Sequence, residues 1–283
     1  MSKTYAHAKI NLFLNVRGRR PDGYHLLEMV NISLDLADTV VVEPSRKLEL
    51  KMINHTGQDR LNLSSDSKNI AWKAAEAACL ARKIRPEFKI TIEKRIPLSA
   101  GLAGGSSDGA AVLRLLGEGR SDLASIGIKL GADVPYCLLG KPARVRGIGE
   151  IVEPIPMAAD LHLVLMNPGF EVSTREIFTR LARDGRAFRE HSSDRLVKAL
   201  ASNDLDAIAG SVRNDLQPVT ASLYREIEKY IDLLRTTGAV AAFQSGSGPT
   251  CIGIYRSEDE ALNATEKLQG SARFIFPCRG MAA

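Results

Sequence analysis

The chain has 283 residues and a formal charge of +5, from 38 Lys and Arg against 33 Asp and Glu. Hydrophobic residues make up 45% and charged residues 25%, which excludes a disordered, collagen-like or fibrous chain. The longest apolar runs, such as Leu161 to Met166, are too short to span a bilayer, and no apolar leader segment opens the chain, so a cytoplasmic protein without a membrane partner is expected.

The chain opens on strict alternation. Ile10, Leu12, Leu14 and Val16 share one face, while Lys9, Asn11, Phe13 and Asn15 share the other, a period of two that predicts a strand with a polar face opposite the core. Pro21-Asp22-Gly23 supplies turn chemistry, and Tyr24 to Leu34 reads as the return strand. Further strands are expected at Thr39 to Val42, Leu48 to Ile53 and Phe88 to Glu93, with a helix over Lys68 to Lys83 between the last two. Pro97 to Ser106 is a Gly/Ser-rich loop, followed by a buried helix over Ser107 to Leu116 and a short helix over Asp122 to Leu130. Val134 to Leu139 and Ala143 to Ile155 read as short strands, and Pro154-Ile155-Pro156 as a boundary.

The second half starts with a strand over Leu161 to Met166. Helices are expected at Thr174 to Arg183, Asp194 to Ala201, Asp204 to Val212, Ala221 to Arg235 and Glu258 to Leu268. Strands are expected at Ala239 to Phe243, Thr250 to Tyr255 and Arg273 to Phe276. Without regular βαβ alternation, this order predicts an α+β protein of two domains, 1–156 and 157–283.

Cys79, Cys137, Cys251 and Cys278 stand singly, with no C-x-x-C pair, and are expected to be reduced, buried residues rather than a zinc site. The basic balance raises a nucleic-acid partner, but the charge is spread out. Its densest cluster, Arg17-Gly18-Arg19-Arg20, runs into a turn, so an enzyme for phosphorylated substrates fits as well.

The strongest chemical signal is Pro97-Leu98-Ser99-Ala100-Gly101-Leu102-Ala103-Gly104-Gly105-Ser106-Ser107-Asp108, between a strand and a helix. Small residues let backbone N–H groups approach an anion, and the helix start adds positive potential. Ser106 and Ser107 can donate to phosphate or reach Mg²⁺. The run lacks the Gly-Lys-Ser/Thr ending of a Walker A loop and the G-x-G-x-x-G spacing. Gly131-Ala132-Asp133-Val134-Pro135 holds Asp133 at a stiff turn, where a capping role is the ordinary account and Pro135 favours extended backbone at Val134. Lys9 with Asn11, and Tyr24 with His25, taken alone read as a solvated strand face and a structural pair. Ser245-Gly246-Ser247-Gly248 is a second Gly/Ser loop, equally a hairpin turn or a ligand-lining loop.

Together these segments resemble a known family. P-x-x-x-G-L-x-G-G-S-S-D before a buried helix is similar to the phosphate loop of the galactose, homoserine, mevalonate and phosphomevalonate kinases. Ala8-Lys9-Ile10-Asn11-Leu12 followed by Gly18-Arg19-Arg20-Pro21-Asp22-Gly23-Tyr24-His25 resembles, more narrowly, the 4-diphosphocytidyl-2-C-methyl-D-erythritol kinases. Arg146-Gly147-Ile148-Gly149-Glu150, Asn167-Pro168-Gly169, Val172-Ser173-Thr174 and Asn214-Asp215-Leu216 fit the same family in order.

The resemblance implies two α+β domains with the active site in the cleft between them. It implies ATP-dependent phosphorylation of the 2-hydroxyl of a cytidine-diphosphate-linked methylerythritol on the non-mevalonate route to isoprenoid precursors, with ATP and Mg²⁺. It makes Lys9 and Asp133 the catalytic pair and Pro97 to Ser107 the ATP loop. Asn11, Tyr24 and His25 would line the substrate pocket, with Tyr24 against the cytosine and His25 at its edge. The family usually has Gly at the positions of Ser99 and Ala103, and Ala at Gly109. The competing readings are another kinase of the superfamily, of homoserine or mevalonate type, and a non-catalytic nucleotide-binding regulator.

Overall fold

The structure, a computed structural model, describes residues 1–58, 63–183 and 188–282. Two long strands open it, β1 (Ser2–Arg19) and β2 (His25–Pro44), joined by the expected turn. β3 (Glu49–Asn54), α1 (Ile70–Arg82), β4 (Phe88–Lys94), α2 (Gly104–Leu116), α3 (Leu123–Leu130) and α4 (Val134–Leu139) follow. Next come β5 (Ala143–Gly147), β6 (Ile151–Pro154), β7 (His162–Asn167), α5 (Thr174–Arg183), α6 (Asp194–Ser202), α7 (Leu205–Ala209) and β8 (Arg213–Asn214). The chain closes with α8 (Gln217–Leu223), α9 (Glu226–Thr236), β9 (Ala241–Gln244), β10 (Cys251–Tyr255), α10 (Glu258–Leu268) and β11 (Phe274–Arg279).

Contacts divide the chain into two units that interleave in sequence. The first holds Met1–Lys9, Leu36–Leu98 and Ala103–Gly140. Here β4 pairs antiparallel with Thr39–Pro44 of β2 and parallel with β3. Ile90 and Ile92 of β4 are fully buried. α1 and α2 pack together, with Ala71, Ala74, Ala75 and Ala78 of α1 buried; small residues let the helix axes approach. Gly109 of α2 is part of that approach, because a Cβ there would lie 2.5 Å from Ile70 Cγ2.

The second unit holds Ile10–Asp35, Ser99–Leu102 and Lys141–Ala283. Phe13 and Leu14 of β1 pair parallel with β8, and β5 pairs antiparallel with β2 and β6. A separate antiparallel sheet runs β11-β7-β10-β9. α9 and α10 bury Ile227, Ile231, Leu234, Ala261 and Leu268 in one cluster with Val164, Met166 and Tyr255 of the sheet.

The α+β reading holds, and all four cysteines are free and buried. No helix among the described residues is long and apolar enough to cross a membrane. Four expectations are corrected. Residues 134–139 form a helix, because Pro135 is tolerated in a first turn, where its missing N–H costs nothing. The helix expected from Ala221 to Arg235 is two, parted at Tyr224, whose φ of −130° and ψ of 97° are extended. The stretch expected to be helical to Val212 leaves the helix after Ala209 and enters β8. The two strands expected between Tyr24 and Val42 are one.

Candidate active site

Lys9 is the first surprise of the site. Its strand is buried on both faces from Ala8 to Val16, so the face expected to be solvated is not. Lys9 is 4% exposed, Asn11 1% and Asn15 0%. A buried ammonium requires a partner, and Lys9 Nζ lies 3.4 Å from Asp133 Oδ1. Asp133 occupies the N-cap position of α4, but its side chain makes no capping bond. The carboxylate is therefore left to Lys9, and it remains 35% exposed.

The loop from β4 to α2 turns through left-handed backbone at alternate residues. Ser99, Gly101 and Ala103 have φ of 52°, 76° and 57°. Left-handed residues in such a run can turn backbone N–H groups toward one concave side, where an anion can sit. Pro97, Ala100 and Leu102 are buried, while Ser99 and Gly105 are exposed. Leu98 and Gly104 are half-buried. Ala103 stands at the N-cap of α2 without a side-chain cap, so the first amides of that 13-residue helix take no side-chain acceptor there. Ser107 is buried, and its hydroxyl donates to the His7 carbonyl at 2.7 Å, which makes it an anchor of the helix. Ser106 Oγ lies 3.6 Å from where Gly131 would carry a Cβ, so the loop and the turn leading to Asp133 adjoin.

Sequence reasoning missed a charged cluster at the root of this loop. Lys94 Nζ donates to Asp38 and, at 2.6 Å, to Asp108 Oδ2. All three side chains are at most 4% exposed. Burial pushes the Asp108 carboxyl up to about 7 against the pull of Lys94, with Asp38 adding to the rise. Lys94 is raised: burial opposes its charge, but Asp108 and Asp38 outweigh it.

In the second unit, Asn11 donates its side-chain amide to Asn31 Oδ1 at 2.7 Å, and its backbone N–H to Ser245 Oγ at 3.3 Å. The Ser245–Gly248 loop joins β9 to β10, as a hairpin turn should, and it also packs on residues 99–102. A Cβ on Gly101 would lie 2.7 Å from the Gly248 carbonyl oxygen, and Thr250 Oγ1 donates to the Ala100 carbonyl at 2.7 Å. Asn214 donates to the carbonyls of Gln244 and Gly246, both at 2.7 Å. Asn214 belongs to the Asn214-Asp215-Leu216 motif, which by itself indicates no role, and Asn31 and Thr250 carry no local signal in the sequence.

Tyr24 is 60% exposed after the turn. His25 is half-buried, with its ring stacked on Phe178 at 4.7 Å between centroids and Phe188 at its edge at 6.2 Å. Burial lowers its pKa, and Arg19 adds to the effect. Its Nε2 has no hydrogen-bond partner among the described residues.

The GHMP kinase N-terminal domain model matches residues 69–141, and the GHMP kinase C-terminal model matches 196–272. A 4-diphosphocytidyl-2-C-methyl-D-erythritol kinase of Clostridium botulinum (strain Eklund 17B / Type B) is 38% identical over 97% of this chain and 98% of its own. One of Paracoccus denitrificans (strain Pd 1222) is 38% identical over 94% and 91%. A crystal structure of 4-(cytidine 5'-diphospho)-2C-methyl-D-erythritol kinase superposes with a TM-score of 0.82 at 31% identity, covering 100% of both chains. The chain therefore belongs to the 4-diphosphocytidyl-2-C-methyl-D-erythritol kinase family, within the GHMP kinases.

Proposed function

We propose that this chain transfers the γ-phosphoryl group of ATP to the 2-hydroxyl of 4-diphosphocytidyl-2-C-methyl-D-erythritol, in the cytoplasm, as a step toward isoprenoid precursors. Its family makes it an ATP-dependent small-molecule kinase. The observation that carries the reading of the site is the Lys9–Asp133 pair, a buried ammonium against a carboxylate that still reaches solvent. Phosphoryl transfer is mostly positioning and charge stabilisation. Asp133 accepts the proton of the attacking hydroxyl, and Lys9 offsets charge developing on the transferred oxygens.

Residues 97–107 cradle the triphosphate with backbone amides. The left-handed turns at Ser99, Gly101 and Ala103 and the uncapped start of α2 fit an anion there. Mg²⁺ would supply neutralisation of the triphosphate charge and needs few protein ligands; the Ser106 hydroxyl is the oxygen that would hold it. The catalytic and ATP-loop residues belong to residues 1–156, and the two family models fall on either side of that boundary.

Asn11, Tyr24 and His25 bind the substrate, a small molecule with a cytidine diphosphate group rather than a nucleic acid. Tyr24 offers an exposed ring for the cytosine to stack on. The partnerless Nε2 of His25, on a ring that burial favours as neutral, serves the base edge. Base stacking on an aromatic ring is worth about 1–3 kcal/mol, so Tyr24→Ala should raise KM for this substrate roughly 5- to 150-fold with a smaller effect on kcat. The assay compares the cytidine diphosphate derivative with free methylerythritol phosphate. Equal turnover of the two by the unaltered enzyme would mean that the base is not read.

A further inference from the structure

The loop assigned to ATP leaves β4 at Lys94 and ends in α2, whose fifth residue is Asp108. One ammonium bonds across that gap. Lys94 Nζ reaches Asp108 Oδ2 at 2.6 Å and also bonds Asp38 on β2. Asp38 in turn receives the backbone N–H of Arg95 at 2.6 Å and of Ile96 at 2.9 Å, the first two residues of the loop. Both roots of the loop thus meet at one buried point. The start of α2 lies over it, since a Cβ on Gly104 would sit 3.4 Å from Lys94 Nζ.

Stability does not explain such a cluster well. Buried ion pairs seldom exceed well-packed apolar residues in net stabilisation, but they do fix one arrangement, because every displaced charge is left uncompensated. Asp108 Oδ1 has no hydrogen-bond partner among the described residues, so the cluster is held by few, directional bonds.

We propose that Lys94, with Asp38 and Asp108, is a positioning group for ATP: it sets the spacing of the two loop roots and so the convergence of the amides on the phosphates. The inference rests on the ATP-loop reading above. It assigns these residues no contact with substrate. They act through residues 97–107, and disturbing them weakens ATP binding before it touches the cytidine substrate.

The test is calorimetric titration of the full chain with a non-hydrolysable ATP analogue, alongside steady-state kinetics and thermal melts. Asp108→Asn keeps the side-chain shape and the Lys94–Asp38 bond, so it is the variant expected to fold. Lys94→Met removes the bridge. A misplacement of about 1 Å can cost about 100-fold, so Kd for the analogue and KM for ATP should rise roughly 10- to 100-fold in Lys94→Met and about 3- to 10-fold in Asp108→Asn. KM for the cytidine substrate should stay within about twofold in both. A lower melting temperature with unchanged analogue affinity in Asp108→Asn would reduce the cluster to a structural prop and overturn the proposal, whether or not Lys94→Met folds. Failure of the unaltered chain to bind the analogue would instead remove the ATP-loop reading, and this inference with it.

Discussion

Lys9 and Lys94 lie at the same depth, with side chains 6% and 3% exposed, yet they face different carboxylates. Asp133, opposite Lys9, is 35% exposed, whereas Asp38 and Asp108, opposite Lys94, are 0% and 4% exposed. The first pair is open on one side and can meet a substrate oxygen. The second is sealed and can only hold its neighbours in place. The difference lies in the partner rather than the lysine: Asp133 ends a turn before a short helix, whereas Asp108 is inside a helix packed on α1.

The largest effect should come from the open pair. Asp133→Asn should lower kcat about 10²- to 10⁴-fold, the range of a positioned general base, with KM for ATP nearly unchanged. Lys9→Met should also abolish turnover while circular dichroism still shows a folded chain. Near-normal turnover in either variant would end the distinction between an open and a sealed lysine.

The sealed pair should show the reverse pattern. Removing one member of a buried charge network leaves the others uncompensated, so Lys94→Met should cost about 3–5 kcal/mol of stability in denaturant titrations. A cost below that of Lys9→Met would break the comparison.

Two substitutions on α2 sharpen it. Gly109→Ala brings a methyl to 2.5 Å from Ile70 Cγ2. Overpacking of this kind costs about 1–3 kcal/mol, and Ile70→Ala in the same chain should recover part of it. If α1 yields freely and the melt is unmoved, the helix bearing Asp108 is not rigidly seated. Ala103, at φ of 57°, should respond least. Left-handed backbone costs a residue with a Cβ about 1–2 kcal/mol, so Ala103→Gly should stabilise by about 1 kcal/mol and leave ATP-analogue affinity equal or tighter. Clear weakening would mean that the methyl itself shapes the loop.

Most of the secondary structure was legible because turn residues and periodicity bound it. The Gly-rich run was legible too, from composition alone. Lys9's burial was not. Alternation indicates a strand, but not whether its second face is covered, and β1 lies between β2 and β8 in its sheet. The α4 residues read as a strand in the sequence because six apolar residues are too few for periodicity to separate the two forms. Tyr24 and His25 were located by the turn before them, but Phe178 beside His25 comes from α5, over 150 positions away. Asp108 closes the Gly-rich motif without a role of its own, and Asp38 and Lys94 carry no pattern, since a cluster that closes across 56 and 14 residues has no local period.

The nest of left-handed residues has a consequence for motion. Ser99 and Ala103 are held where residues with a Cβ rarely rest. Such a backbone rests only where its surroundings hold it, and the bonds at Lys94 tie both roots of the loop. Opening the loop means parting buried charges at Lys94 rather than swinging a free hinge. Residues 95–98 and 103–107 should therefore breathe with the β4–α2 framework as one cooperative segment.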